Sequence, residues 1–165
     1  MTTINEINEL DRQAFVAVLG EIFEHSPWIA SSAWEMRPFV SKEALHEAMA
    51  NVVREASNDQ LIELFRAHPD LGTRLAVAPY SAKEQQGAGL NQLTSEEFEV
   101  FSELNRKYVE QFGFPFILAV RGKSKEHILT AMESRIHHSM QEETTQALSE
   151  IEKITKFRIL DLITG

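Results

Sequence analysis

Three short segments of this chain hold side chains that could move protons on a small anion. They are His68-Pro69-Asp70-Leu71, Ser81-x-x-Glu84-Gln85, and Phe112-Gly113-Phe114-Pro115-Phe116 with Arg121 shortly after. An imidazole has an ordinary pKa near 6.5, so His68 can give or take a proton around neutrality. Ser81, Glu84 and Gln85 stand at i, i+3 and i+4, which puts a hydroxyl, a carboxylate and an amide on one helix face. Such a face could hold a ureido or imidazolone group, which is rich in N–H and C=O. The planar fork of Arg121 suits a carboxylate. All three segments interrupt an otherwise helical pattern, where backbone is free to meet a ligand.

Plainer readings stand beside each of these. His68 can be a cation favoured by the dipole at a helix C-terminus. Ser81-x-x-Glu84 is also a capping box. Arg121 can be a surface residue at the end of an element. His137 and His138 are adjacent and point to different faces, so they read as solvated helix surface, as do His25, His46 and His127. Trp28 and Trp34 read as core anchors. The chain has no glycine-rich phosphate loop, no His-Glu-x-x-His and no calcium loop, and its acidic residues show no metal-ligand spacing. A bound metal is therefore not expected.

The elements that must position these groups are almost all helical. Asp11 is the expected N-cap of a first helix, with Leu10 and Phe15 as its hydrophobic staple. Phe15, Val18, Leu19 and Ile22 follow at helical spacing, and Ser26-Pro27 ends the run. Trp28 to Met36 is a short second helix. Leu45, Ala48, Met49, Val52, Val53 and Ala56 trace one apolar face of the next. Ser57-x-x-Gln60 is a capping box opening a helix that must stop near His68, because Pro69 follows. Positions 69–79 read as loop, and Ser81 to Gly87 as a short helical turn. Thr94-x-x-Glu97 is a second capping box, for a long helix lined by Phe98, Phe101, Leu104, Tyr108 and Phe112. Phe114 to Val120 is a continuous apolar run with a proline second, read as a buried extended segment. Two further helices carry Ile128, Leu129, Met132 and Ile136, then Ala147, Leu148, Ile151, Ile154, Arg158 and Leu162. The expectation is an all-α, single-domain bundle of about eight helices over 1–165, with one irregular apolar crossing.

Composition narrows the partners. The chain has 165 residues, enough to bury one sizeable core. A formal charge of −9 repels phosphate backbones, so nucleic acid is not expected as a partner. The longest apolar run is too short to cross a bilayer, so neither is a membrane. There are no cysteines, which excludes disulfides, thiolate metal sites and a cysteine nucleophile. Met1 to Glu6 has no leader-like pattern, and Leu162-Ile163-Thr164-Gly165 is not a peroxisomal address. The expected location is the cytoplasm.

The ordered set of motifs resembles one family. Phe23-Glu24-His25-Ser26-Pro27-Trp28, Arg37-Pro38-Phe39 and Ala67-His68-Pro69-Asp70-Leu71-Gly72 come first. Ser81-x-x-Glu84-Gln85-x-x-Ala88-Gly89-Leu90, Asn105-x-x-Tyr108, Phe112-Gly113-Phe114-Pro115-Phe116-Ile117 and Arg121-Gly122 follow. In this order they resemble the decarboxylases of 2-oxo-4-hydroxy-4-carboxy-5-ureidoimidazoline (OHCU), enzymes of purine catabolism. The resemblance implies an all-helical, cofactor-free enzyme, often a homodimer, that makes (S)-allantoin and CO2. It implies His68 as proton donor and Glu84 as its catalytic partner. It places substrate contacts on Pro69, Ser81, Gln85 and the stretch Phe116, Ile117, Leu118, Ala119, Val120 and Arg121. One departure is His137, where relatives often carry Asn. The missing peroxisomal tail suggests a bacterial cytosolic version.

Two other classes compete. An acidic helical interaction domain without catalysis would make His68 and Ser81 cap residues only. A ring-opening hydrolase acting on a related ureide would usually need a metal, for which the chain offers no convincing ligand set.

Overall fold

The computed structural model describes residues 2–68 and 94–164. Within them run eight α-helices: α1 Ile4–Glu9, α2 Arg12–Leu19, α3 Pro27–Ala33, α4 Lys42–Arg54, α5 Asn58–Ala67, α6 Ser95–Phe112, α7 Lys125–Arg135 and α8 Met140–Leu162. A 3-10 turn, Trp34–Met36, extends α3. Two-residue strands β1 (Thr2–Thr3) and β2 (Ile163–Thr164) pair in parallel, Thr2 opposite Ile163 and Thr3 opposite Thr164. The all-α expectation holds.

Local signals in the sequence act where expected. Asp11 caps α2, accepting from the Ala14 amide at 2.8 Å. Ser57 and Gln60 exchange backbone amides for side-chain oxygens at 3.1 and 3.2 Å at the head of α5. Thr94 and Glu97 do the same for α6 at 3.1 and 3.0 Å. Each box satisfies amides that a helix start leaves orphaned. Three expectations need correction. Helix α1 precedes Asp11, capped by Thr3. Helix α2 stops at Gly20 rather than running through Ile22. In α4 the buried face is Leu45, His46, Met49, Ala50 and Val53, with Ala48 and Val52 only half-buried.

The described chain divides into two compact units, Met1–Ala67 with Glu152–Gly165, and His68–Ile151. In the first, Arg37-Pro38-Phe39 is a structural knot. The Arg37–Pro38 peptide is cis. Arg37 lies 3.9 Å over the Trp34 ring and donates to the carbonyls of Trp34, Asn8 and Leu10. The Asn8 amide pairs with both the N–H and the C=O of Phe39, at 2.8 and 2.9 Å. Deeper in, Arg158 donates to Glu24 at 2.7 Å and to the Ile22 carbonyl at 2.9 Å, and both charged residues are buried. A buried charge is tolerable only when so matched.

His46 does not sit on solvated surface; it is buried, with Nε2 2.9 Å from Thr155 Oγ1. The Thr155 hydroxyl donates its proton to the Glu152 carbonyl at 3.2 Å, so His46 Nε2–H donates to Thr155. A second proton on this ring must be buried. Burial lowers the His46 pKa from its usual 6.5, and Lys156 lowers it further against the pull of Glu152 and Glu47. The unfolded chain then binds a proton near pH 6.5 that the folded chain refuses. Stability falls as the pH drops below 6.5. Urea unfolding at pH 7.5 and 5.5 should show this loss, and His46→Gln, which keeps a donor to Thr155 but does not titrate, should reduce it. An unchanged pH slope in the variant would clear His46 of the effect.

Candidate active site

The site candidates that the structure describes fall in the unit His68–Ile151. His68 follows the last residue of α5 and is 7% exposed. A helix that must end before proline has delivered an imidazole into a buried position. Pro69, Ser81, Glu84 and Gln85 lie outside the described residues, as does the expected turn Ser81 to Gly87.

Phe116 to Arg121 is described in full. Between Gly113 and Ser124 the chain forms neither helix nor strand, in line with the reading of Phe114 to Val120. Gly113 ends α6 with φ +78°, a left-handed turn that glycine takes without strain. Phe114, Phe116, Ile117, Ala119 and Val120 are buried, Leu118 is half-buried, and Arg121 is exposed. The stretch closes in a turn where the Lys123 amide donates to the Val120 carbonyl at 3.0 Å and Gly122 has φ +76°.

Buried backbone without a ladder of its own must find hydrogen-bond partners elsewhere. Two charged side chains supply them. Arg135, at the end of α7, donates to the Ile117 carbonyl at 2.6 Å, and its guanidinium lies 4.4 Å from the Phe116 ring centre. Glu150, on α8, accepts from the Ala119 amide at 3.1 Å, and its second oxygen accepts from Gln146 at 2.8 Å. Arg135 is in turn held by Glu143, which has no solvent exposure. Glu143 accepts from Arg135 Nε at 2.7 Å and from Arg135 Nη2, from the Tyr108 hydroxyl, and from His138 Nδ1 at 3.0 Å. Burial, then the bond to Glu143, pushes the Tyr108 hydroxyl far above the usual phenol range, so it remains a donor. Tyr108 also anchors the aromatic start of the stretch. Its ring centre lies 4.7 Å from Phe112, 6.0 Å from Phe114 and 5.3 Å from Phe116.

This frame corrects one expectation. His138 is not solvated helix surface: it lies between α7 and α8, half-buried against Glu143. The Ala119 amide is given to Glu150. Arg135, Glu143 and Glu150 are not among the residues expected from sequence. A signal was present, because Glu143 and Glu150 fall on the same stripe of α8 as Ala147, Ile151 and Ile154. A carboxylate inside an apolar stripe must be paired. Among the described residues no cluster of three His, Asp or Glu could hold a metal. An open hollow of about 230 Å³ lined by Glu97, Val100, Phe101, Lys125 and Leu129 involves none of the candidates.

Residues 8–160 match the family model described as OHCU decarboxylase. The chain belongs to the OHCU decarboxylase family. It is 43% identical over 164 residues to the uric acid degradation bifunctional protein PucL of Bacillus subtilis, covering 99% of this chain and 33% of that protein. It is 43% identical over 160 residues to a 2-oxo-4-hydroxy-4-carboxy-5-ureidoimidazoline decarboxylase of Halalkalicoccus jeotgali, covering 97% of this chain and 91% of the other. The crystal structure of an (S)-allantoin synthase superposes with a TM-score of 0.82 at 32% identity, over 98% of this chain and 54% of that one. The chain thus spans about a third of the bifunctional relative and nearly all of the relative named as a decarboxylase. No helix among the described residues is long and apolar enough to cross a membrane.

The turn after Val120 offers a direct check on how the stretch is held. A side chain at Gly122 would meet no atom of the described residues within 4 Å, so a substitution there reports backbone strain. Gly122→Ala should lose about 1 kcal/mol from its left-handed φ. That corresponds to a melting temperature roughly 2–4 °C lower by calorimetry. Melting at the wild-type temperature would mean that the turn relaxes freely.

Proposed function

We propose that this chain decarboxylates OHCU to (S)-allantoin in urate degradation, as a carboxy-lyase that needs no cofactor. The observation that carries the reading is the 43% identity along 91% of a relative named for this reaction. The likeness to an (S)-allantoin synthase agrees with it. The reading includes a homodimer in the cytoplasm, with neither nucleic acid nor membrane as partner. The formal charge of −9 favours that choice of partners.

The chemistry suits a protein that orients and protonates. OHCU carries its carboxylate on C4, beside a C5=N imine. When the C4–carboxylate bond breaks, its electron pair forms a C4=C5 double bond. The imine π pair moves to nitrogen, which takes a proton. The enediol-like product then gains a proton at C5 while the C4 hydroxyl loses one and becomes a carbonyl. Delivery of the C5 proton from one face sets the S configuration. The electron sink lies within the substrate, so the protein's tasks are to turn the carboxylate out of the ring plane and to manage the protons at the ring nitrogen, C5 and the C4 hydroxyl.

His68 is assigned the acid–base role, with Glu84 as its partner. A buried imidazole just past the end of a helix is well placed to exchange a proton with a small ligand shielded from water. Ser81, Gln85 and Pro69 are assigned the ureido arm. Arg121 is assigned an anionic oxygen. Within Phe116 to Val120, the Ile117 carbonyl and Ala119 amide are committed to protein side chains. The Leu118 peptide between them is therefore assigned to the polar edge of the substrate.

Circular dichroism of freshly generated OHCU tests the reading. Chiral allantoin should form fast only when the protein is present. His68→Asn should lower turnover about a hundred- to ten-thousandfold while the far-ultraviolet spectrum and melting stay those of a folded chain. Near-normal turnover in that variant would remove His68 from the mechanism.

A further inference from the structure

A substrate-binding stretch without helix or strand can hold a geometry only if something holds the stretch. We propose that Glu150 is a positioning residue for substrate binding. It pins the Ala119 amide and so, with Arg135 on the Ile117 carbonyl, fixes the direction in which the Leu118 peptide faces. This inference rests on the functional reading above, because it takes Phe116 to Arg121 as the substrate-binding stretch.

Four observations carry it. First, Glu150 is 2% exposed, so a carboxylate has been buried where an apolar residue would continue the stripe of Ala147 and Ile151. Burying a charge without a task is costly, and such groups persist where geometry requires them. Second, one of its oxygens accepts from the Ala119 amide at 3.1 Å and the other accepts from the Gln146 amide at 2.8 Å. Gln146 stands one helical turn before Glu150 and orients it. Third, the adjacent anchor has the same construction. Arg135 reaches the Ile117 carbonyl at 2.6 Å and is itself oriented by fully buried Glu143. Fourth, the two anchors flank one residue, Leu118. A displaced anchor on either side would turn its peptide.

The mechanism does not need Glu150 to touch substrate. Its acceptor oxygen matters and its charge does not, which yields a specific pattern. Glu150→Ala should leave the Ala119 amide without a partner and raise the KM for OHCU about tenfold or more, with kcat within about threefold. Glu150→Gln keeps an oxygen for that amide and should restore KM to within about threefold of wild type. A residue important only for stability would instead lower the melting temperature and leave the KM of the folded fraction unchanged. Gln146 is half-buried, so Gln146→Met keeps the test informative even if Glu150→Ala does not fold. It should raise KM about threefold through Glu150.

Amide hydrogen exchange supplies a readout independent of activity. The Ala119 amide should be protected in the wild type and in Glu150→Gln, and lose that protection in Glu150→Ala. An unprotected Ala119 amide in the wild type would overturn the proposal. So would a KM within twofold of wild type in both Glu150→Ala and Gln146→Met, or a Glu150→Gln variant as impaired as Glu150→Ala. A wild-type chain that leaves OHCU decay unaccelerated would instead remove the functional reading and the substrate half of this proposal. The exchange measurement would still decide whether Glu150 holds the stretch.

Discussion

The peptide groups of Phe114 to Val120 set the problem that the second unit solves. Five of these residues, Phe114, Phe116, Ile117, Ala119 and Val120, are buried, yet the chain there forms no regular element. In a helix or sheet, backbone answers backbone. Here side chains must answer, because a buried N–H or C=O without a partner costs on the order of 1–3 kcal/mol. Glu150 and Arg135 meet that demand from α8 and α7. Each brings a charge into the interior. Glu143 balances Arg135, and Tyr108 and His138 fill the remaining acceptor positions of Glu143. Removing Glu143 would strand Arg135, Tyr108 and His138 together, so these four residues form one network rather than separate contacts.

Such anchoring matters for chemistry of the proposed kind. When the substrate holds its own electron sink, little is left for the protein beyond geometry and proton placement. Geometry is only as good as the backbone that presents it. An irregular stretch offers peptide groups that a helix would consume internally, but it offers them in a fixed direction only when clamped. Placing the clamps on helices, and the irregular chain on the clamps, supplies exposure and rigidity together. His68 shows the same economy at a smaller scale: a helix that must stop before a proline is followed at once by a buried imidazole.

Much of this was legible in advance, and the boundary falls along physical lines. Capping boxes at Ser57 and Thr94 and the cap at Asp11 are local codes, written within three residues and read correctly. The apolar run from Phe114 was recognised as buried and non-helical from its continuity and its proline. Helix α1 was missed because it is only six residues long, with Ile7 as its one buried side chain, which leaves no periodicity to detect. The β1–β2 pair was missed because its two strands lie at opposite ends of the sequence and are two residues each. His46 was misplaced because a histidine on the edge of an apolar stripe looks the same in sequence whether Thr155 waits for it or water does.

The acidic residues teach the broader lesson. An abundance of Asp and Glu invites the reading of solvated faces, and Glu103, Glu110 and Glu133 bear it out. Glu24, Glu143 and Glu150 do not. Each is buried against at least one donor eight or more positions away in the chain. Composition cannot separate the two groups, but phase can. On α8 the spacing of Glu143, Ala147, Glu150, Ile154 and Arg158 keeps to one stripe, so its charges point inward with the alanine and isoleucine. A charge in phase with the core is a demand for a partner, and for Glu150 the partner is the backbone that the proposed chemistry would use.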